Sequence, residues 1–468
     1  MGMSTVTAGR IYRGQEFRQS GEQYRLAFEK FPFVGLAKTY NVNAQVGDSA
    51  ACATALFCGA KTNFHRVGVD STSDGNLCTG GRPLSSLIEW AQRAGKATGL
   101  VTNTRLTHST PSAAYAHVLR RDWESHTDST GCKDIARQLV EDRPGRDINV
   151  LFGGGRLKFM PSTATDPVDS KQSGERSDGR NLIDDWRAIR GRHDRRQRHY
   201  VYTKYQFDNL QPETTDSVLG LFSPSHMSFE RDRNRGPSGE PSLAEMTVKA
   251  IQILSQKKHK RGFLLIVEAG RIDHGHHVNS AWHALTELAA LDDAVRAVLA
   301  TVDPSDTLVV ATADHSHVFT LGGNRTPRGT PITGLDSQKD INGVPYTTLL
   351  YGNGPGYVPE RNITRLERTH DSEYRQETAV NLRYETHAGE DVPVYATGPR
   401  SHLFTGTFEQ SYVAHAISYA ACIGHYRNQC QRPVEEVKAG GDTYRPQALL
   451  VVLGVTMAAL RARQLGQW

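Results

Sequence analysis

Two of the most apolar runs in the chain each stop on residues that bind metals. FLLIV at 263–267 leads into Glu268, followed by Arg271, Asp273, His274, His276 and His277. TLVVATA at 307–313 leads into Asp314, His315 and His317. A short apolar run reads as a strand buried on both faces. In an open α/β sheet, ligands gather beyond the carboxyl ends of such strands. Two separate strands ending in carboxylate plus imidazole therefore point to a sheet whose C-terminal edge carries chemistry. Asp273 and His277 are four apart, so on a helical turn they share one face and can chelate a single ion. Carboxylates mixed with imidazoles suit Zn²⁺, whereas carboxylate with hydroxyl and water suits Mg²⁺.

The rest of the chain fits that frame. ATGLVTNT at 97–104, INVLFGGG at 148–155 and YTTLLYGNGPG at 346–356 read as further buried strands. Helical patterns at 84–95, 243–256 and 280–300 separate them. Strands alternating with helices predict a doubly wound, mostly parallel α/β sheet with helices on both faces. No repeat or low-complexity linker divides the 468 residues, so 1–430 reads as one domain and 431–468 as a tail. Two polar stretches, 156–240 and 320–385, read as loop insertions. The formal charge is +5, from 55 basic and 50 acidic residues, too mild a balance to argue for nucleic acid. The basic run at 187–198 reads as a solvated face rather than a polyanion site.

A second chemical signal is VGDSAACATALFCGAK at 46–61. Asp48 and Ser49 open a run of small residues that reads as a helix N-terminus. There the helix dipole favours an incoming anion and an alkoxide. The plain alternative is an N-cap on a buried helix. No GxSxG elbow surrounds the serine, so a hydrolase triad is not indicated. His387, in YETHAGEDV at 384–392, has no apolar or helical reason to be held in place.

The two ends point in different directions. MGMSTVTAGR lacks a charged region followed by an apolar run, so no signal peptide is legible. At the other end, ALLVVLGVTMAAL at 448–460 is too short to span a bilayer and suits the removable tail of a lipid-anchor signal. A buried or frayed terminal helix is the other reading. Asn-x-Thr triplets at Asn324 and Asn362 are glycan acceptors in a secreted chain. Six cysteines in this length are not a disulfide scaffold. Spacing alone allows Cys422 with Cys430 and Cys58 with Cys132, which leaves Cys52 and Cys78 free.

Taken together, FPFVGLAKTYNVNAQVGDSAACATALFCGAKTN, VEAGRIDHGHH, TADHSHVF, LLYGNGPGY and ETHAGEDV resemble the animal alkaline phosphatases, and the similarity runs from Met1 to about Cys430. The resemblance implies a phosphomonoesterase with Ser49 as nucleophile, passing through a phosphoserine. It implies one zinc on Asp273, His277 and His387, and a second on Asp314, His315 and the Ser49 oxygen. It implies a magnesium ion on Glu268 and Thr110, and Arg121 as the bidentate grip on two phosphate oxygens, with Arg120 the neighbouring alternative. Disulfides Cys58–Cys132 and Cys422–Cys430, a homodimer, and a place on the outer face of the plasma membrane through a lipid anchor are also implied.

The pattern departs from the family at two places. The family's first metal motif is Asp-Gly-Met-Gly, of which Met1 and Gly2 match the last two residues. The aspartate that bridges the second zinc and the magnesium, and the strand before it, are therefore expected upstream of this sequence. As it stands, the sheet is expected to have a gap. Second, the calcium ligands of animal members fall on Val168, Ser223 and Glu240, one acid in three, so no tight calcium site is expected. A catalytically inactive relative, and a diesterase or sulfatase of the wider superfamily, are the competing readings.

Overall fold

The computed structural model describes residues 1–72, 75–189, 198–323, 325–360, 369, 371 and 373–429, together with the backbone of 448–453 and 457–459. Its centre is a long, mostly parallel sheet. The strands run in the order Gly406–Glu409, Phe33–Lys38, Val392–Thr397, Thr307–Thr312, Ala448–Leu453, Phe263–Glu268, Ala97–Arg105, Val150–Gly154, Ser217–Leu221 and Arg198–Val201. From Thr307–Thr312 to Arg198–Val201 every neighbouring pair is parallel. Val392–Thr397 runs antiparallel to both of its neighbours.

The apolar runs became interior strands because nothing in them needs water: Phe263–Glu268 and Thr307–Thr312 are buried at every position. Helices flank the sheet as the alternation predicted. Leu243–Leu254 starts with a capping box in which Ser242 and Glu245 satisfy each other's backbone amides, and it packs against Ala281–Thr301 and the strand Ala97–Arg105.

Three expectations change. The stretch 156–240 is more than an insertion, since it supplies Arg198–Val201 and Ser217–Leu221, the outer strands on one side of the sheet. The predicted strand at 346–356 forms as Leu349–Gly354, but in a separate three-stranded sheet with Phe319–Leu321 and Thr378–Asn381. The expected gap in the main sheet is filled from the far end of the chain. Ala448–Leu453 is neither a helix nor a loose tail there, but a parallel strand paired on both sides. Leu449 lies opposite Leu264 and Val451 opposite Val310. No helix among the described residues is long and apolar enough to cross a membrane.

The cysteines also differ. Cys132 is bonded to Cys78, with Cα atoms 5.3 Å apart, and not to Cys58. Cys58 ends the buried helix Ser49–Cys58, where its thiol donates to the Ala113 carbonyl at 3.6 Å and burial pushes its pKa up. Cys52 is free, as expected. Cys422 is disulfide-bonded, while Cys430, Asn324 and Asn362 lie outside the described residues.

Candidate active site

Ser49 is the first residue of the helix Ser49–Cys58, whose ten residues are all buried. Small side chains allow that burial, and Asp48 caps the helix, accepting from the amides of Ala50 and Ala51. The same carboxylate accepts from Asn41 Nδ2 at 3.1 Å, the His65 amide at 3.0 Å and Arg121 Nη1 at 3.2 Å. The cap reading of this segment holds, with Asp48 as the cap and Ser49 as the residue it presents at the helix N-terminus. Of the two neighbouring arginines, Arg121 points inward to Asp48. Arg120 is exposed and pairs with Asp122 and Asp128.

The strand ends deliver the remaining candidates. Glu268 closes its strand fully buried, accepting from the hydroxyls of Thr102 and of Thr104, the latter at 2.8 Å. Burial raises its pKa to about 8 against those hydroxyls and that of Thr110. The helix Arg271–His277 places Asp273 Oδ2 3.3 Å from His277 Nε2, as the spacing of four predicted. Asp314 Oδ2 lies 3.2 Å from His315 Nε2. Burial would raise Asp314, but the adjacent His315 holds it down at about 2. His387 opens a two-residue strand paired with Ser316–His317, with its ring stacked on His315 at 3.5 Å between centroids. The expected ligands converge, though not partitioned as the resemblance implies. Asp273, His315 and His387 bring ligand atoms within 4.8 Å of one another together with His317, and His277 lies likewise with His317 and Glu385. Ser49 and Asp314 lie against His315, and Glu268 faces Thr110.

The imidazoles share one orientation. Nδ1 donates to the Glu385 carbonyl from His277 (2.6 Å), to the Ser316 carbonyl from His315 (3.2 Å), to the Glu385 carboxylate from His317 (2.6 Å) and to the Gly47 carbonyl from His387 (2.8 Å). A carbonyl or carboxylate cannot donate, so in each neutral ring the lone pair is on Nε2. Those Nε2 atoms face carboxylates: His317 and His387 stand 2.9 and 3.4 Å from Asp273 Oδ1. Yet Asp273 Oδ1, Asp314 Oδ2 and His317 Nε2 are buried with no hydrogen-bond partner. The 2.9 Å contact is close but not aligned as a hydrogen bond. Buried acceptors aimed past one another at a common point are what a cation satisfies, so the residues fit divalent metal ions.

A second histidine group carries that signature at a single atom, His108 Nδ1. His108, His226 and His274 also come within ligating reach of one another. Their ring nitrogens, however, face the guanidinium groups of Arg121, Arg105 and Arg271. A metal-bound imidazole needs an acceptor behind it, and these arginines offer donors. At the positions weighed for calcium, Ser223 donates to the His226 carbonyl, Glu240 accepts from the Ser228 amide and Val168 is exposed.

Sequence reading missed the parts played by Asp48, His317 and Glu385. His317 and Glu385 stood inside motifs already singled out, two residues after His315 and two before His387. No spacing rule marks an orienting carboxylate.

Known proteins resemble this chain over most of its length. The alkaline phosphatase family profile matches residues 1–423. The tissue-nonspecific alkaline phosphatase isozyme of Felis catus is 46% identical over 97% of this chain and 87% of its own length. That of Homo sapiens is 47% identical over 92% and 83%. Among solved structures, the alkaline phosphatase of the Antarctic bacterium TAB5 aligns with a TM-score of 0.61 at 23% identity, covering 91% of this chain and 96% of that one. The cold-active enzyme of Shewanella sp. aligns at 0.63 and 24%, covering 89% and 96%. With this sequence identity and this fold, the chain is a phosphoric monoester hydrolase and belongs to the alkaline phosphatase family.

Proposed function

We propose that the protein hydrolyses phosphate monoesters through a phosphoserine at Ser49, on a site that takes two zinc ions and one magnesium ion. The observation that carries this is the placement of Ser49 Oγ. It stands 3.0 Å from His315 Nε2 at a helix N-terminus, with Arg121 held on the neighbouring Asp48. Asp273, His277 and His387 would hold one zinc, Asp314, His315 and Ser49 the other, and Glu268 with Thr110 the magnesium. Bound there, the ions supply positive charge to the phosphoryl oxygens and lower the pKa of a coordinated hydroxyl.

The chain's own residues account for the rest. Ser49 Oγ forms a bond to phosphorus as the ester P–O bond breaks and the alcohol departs. Arg121 can hold two equatorial oxygens in the loose transition state. Asp48 keeps that guanidinium aimed. Water then attacks phosphorus from the opposite side, the Oγ–P bond breaks, and inorganic phosphate leaves with Ser49 restored. No residue need recognise the alcohol, so specificity is broad.

The Cys78–Cys132 disulfide supports an oxidising, extracytoplasmic setting. Exposed Val34, Leu36, Tyr40 and Val42 lie along one end of the sheet and support a homodimer. A lipid anchor requires removal of the 448–460 segment, and the intact mass of the mature protein distinguishes a chain that keeps its Ala448–Leu453 strand from one that has exchanged it for an anchor. The test of the activity is p-nitrophenyl phosphate turnover at alkaline pH with Zn²⁺ and Mg²⁺ present. Turnover that Ser49→Ala leaves intact refutes the assigned nucleophile. Elemental analysis of the active protein counts the ions.

A further inference from the structure

We propose that Glu385, which is no ligand in the scheme above, is the positioning residue of the first metal group, fixing His277 and His317 together. The inference rests on the reading of Asp273, His277 and His387 as a metal centre.

Glu385 is buried and uses every polar group it has. Its carbonyl accepts from His277 Nδ1 at 2.6 Å, and its amide donates to the His277 carbonyl at 3.0 Å. That two-point clamp leaves the His277 ring one orientation, with Nε2 3.3 Å from Asp273 Oδ2. Its carboxylate accepts from His317 Nδ1 at 2.6 Å through Oε2 and from the Val318 amide at 2.7 Å through Oε1. His317 is thereby held with Nε2 at Asp273 Oδ1. One residue, two before His387 in the chain, thus orients imidazoles from two other segments around a single aspartate. His317 is itself no ligand in that scheme, so the Glu385–His317 pair backs the ligating carboxylate of Asp273 from outside, and loss of such an outer partner costs about 10- to 100-fold in metal affinity.

The variants follow from the hydrogen bonds. In Glu385→Gln one side-chain position becomes an NH₂ donor, facing either His317 Nδ1–H or the Val318 amide, so one of those contacts must fail. In Glu385→Asp the backbone clamp on His277 remains, but the carboxylate is one methylene too short to reach both donors. The full-length protein is stripped of metal and titrated with Zn²⁺ against a competing chelator, and the thermal midpoint of the metal-free form is recorded alongside. Ile253→Val, a core truncation remote from the centre, controls for general loss of stability.

Both Glu385 variants are expected to bind the tighter zinc equivalent about 10- to 100-fold more weakly than the parent, while Ile253→Val binds as the parent does. Unchanged zinc affinity in Glu385→Gln overturns the proposal, as does an equal loss in Ile253→Val. Asp273→Ala separates this from the wider reading. If it too leaves zinc affinity unchanged, the metal centre itself is misplaced. If it abolishes tight binding while Glu385→Gln does nothing, only the role given to Glu385 fails.

Discussion

Asp48 and Arg121 are joined by a 3.2 Å contact across 73 residues of sequence, and the same carboxylate caps the helix that begins at Ser49. One side chain therefore sets both the place of the proposed nucleophile on the helix dipole and the aim of the proposed phosphate-gripping cation. Asp48→Ala is expected to lower kcat/KM by about 100-fold, the scale of a small misplacement in a site of this kind. It should also cost about 1 kcal/mol of stability from the lost cap. Steady-state kinetics and thermal melting check the two effects separately. An Asp48→Ala enzyme with parental kinetics would show that Arg121 aims itself.

Arg120 and Arg121 are neighbours with opposite surroundings, which makes them a matched test. Arg121→Ala is expected to reduce kcat/KM by about 10²- to 10³-fold, as for removal of one preorganised donor to transition-state charge. Arg121→Lys should recover only part of it, because an ammonium cannot bridge two oxygens. Arg120→Ala removes a solvent-exposed pair and should leave kinetics within about twofold. Kinetics on p-nitrophenyl phosphate decide the assignment, and equal losses at both positions would sink it.

Cys78–Cys132 closes a 54-residue span, and a loop of that length restricts the unfolded chain by about 4 kcal/mol. Cys132→Ser is expected to lose stability of that order. Cys58→Ala should lose much less, giving up a buried thiol with no covalent bond. Denaturant unfolding of the two variants, with and without reductant, checks the ranking. Reductant should lower the parent's midpoint by more than that of Cys132→Ser, which keeps the disulfide at Cys422.

The strand ends were legible because burial and chemistry are written in the same residues: an apolar run that stops on Asp or Glu plus His has few other uses. Ser49 and His387 were harder. Spacing alone left Ser49 as a cap and His387 as decoration, and only family likeness raised either. The Cys58 pairing failed because sequence spacing carries no information on which side of a buried helix a thiol faces. Glu385 was invisible for a related reason. Its value lies in a carbonyl and a carboxylate aimed at two other segments, and neither leaves a pattern along the chain. Arg198–Val201 was missed because a strand at the sheet's edge is only partly buried, so its polar sequence read as insertion.

Glu287, on the helix Ala281–Thr301, is a buried carboxyl outside the metal groups that gives stability a definite pH dependence. Burial raises its pKa to about 7, against hydrogen bonds from the Glu230 amide at 2.6 Å and Asn103 Nδ2 at 2.8 Å. In the unfolded chain the same group titrates near 4.5. Between those values the folded state binds the extra proton, so this group's contribution is fully present below about pH 4.5 and is lost as pH rises through 7. The span corresponds to roughly 3 kcal/mol. Glu287→Gln cannot titrate, so its stability relative to the parent should climb by that order between pH 4.5 and 8, whatever its absolute stability. Denaturant midpoints measured across that range check the slope. Parallel curves for the two proteins would mean that Glu287 stays ionised in the fold, with Asn103 and the Glu230 amide outweighing burial.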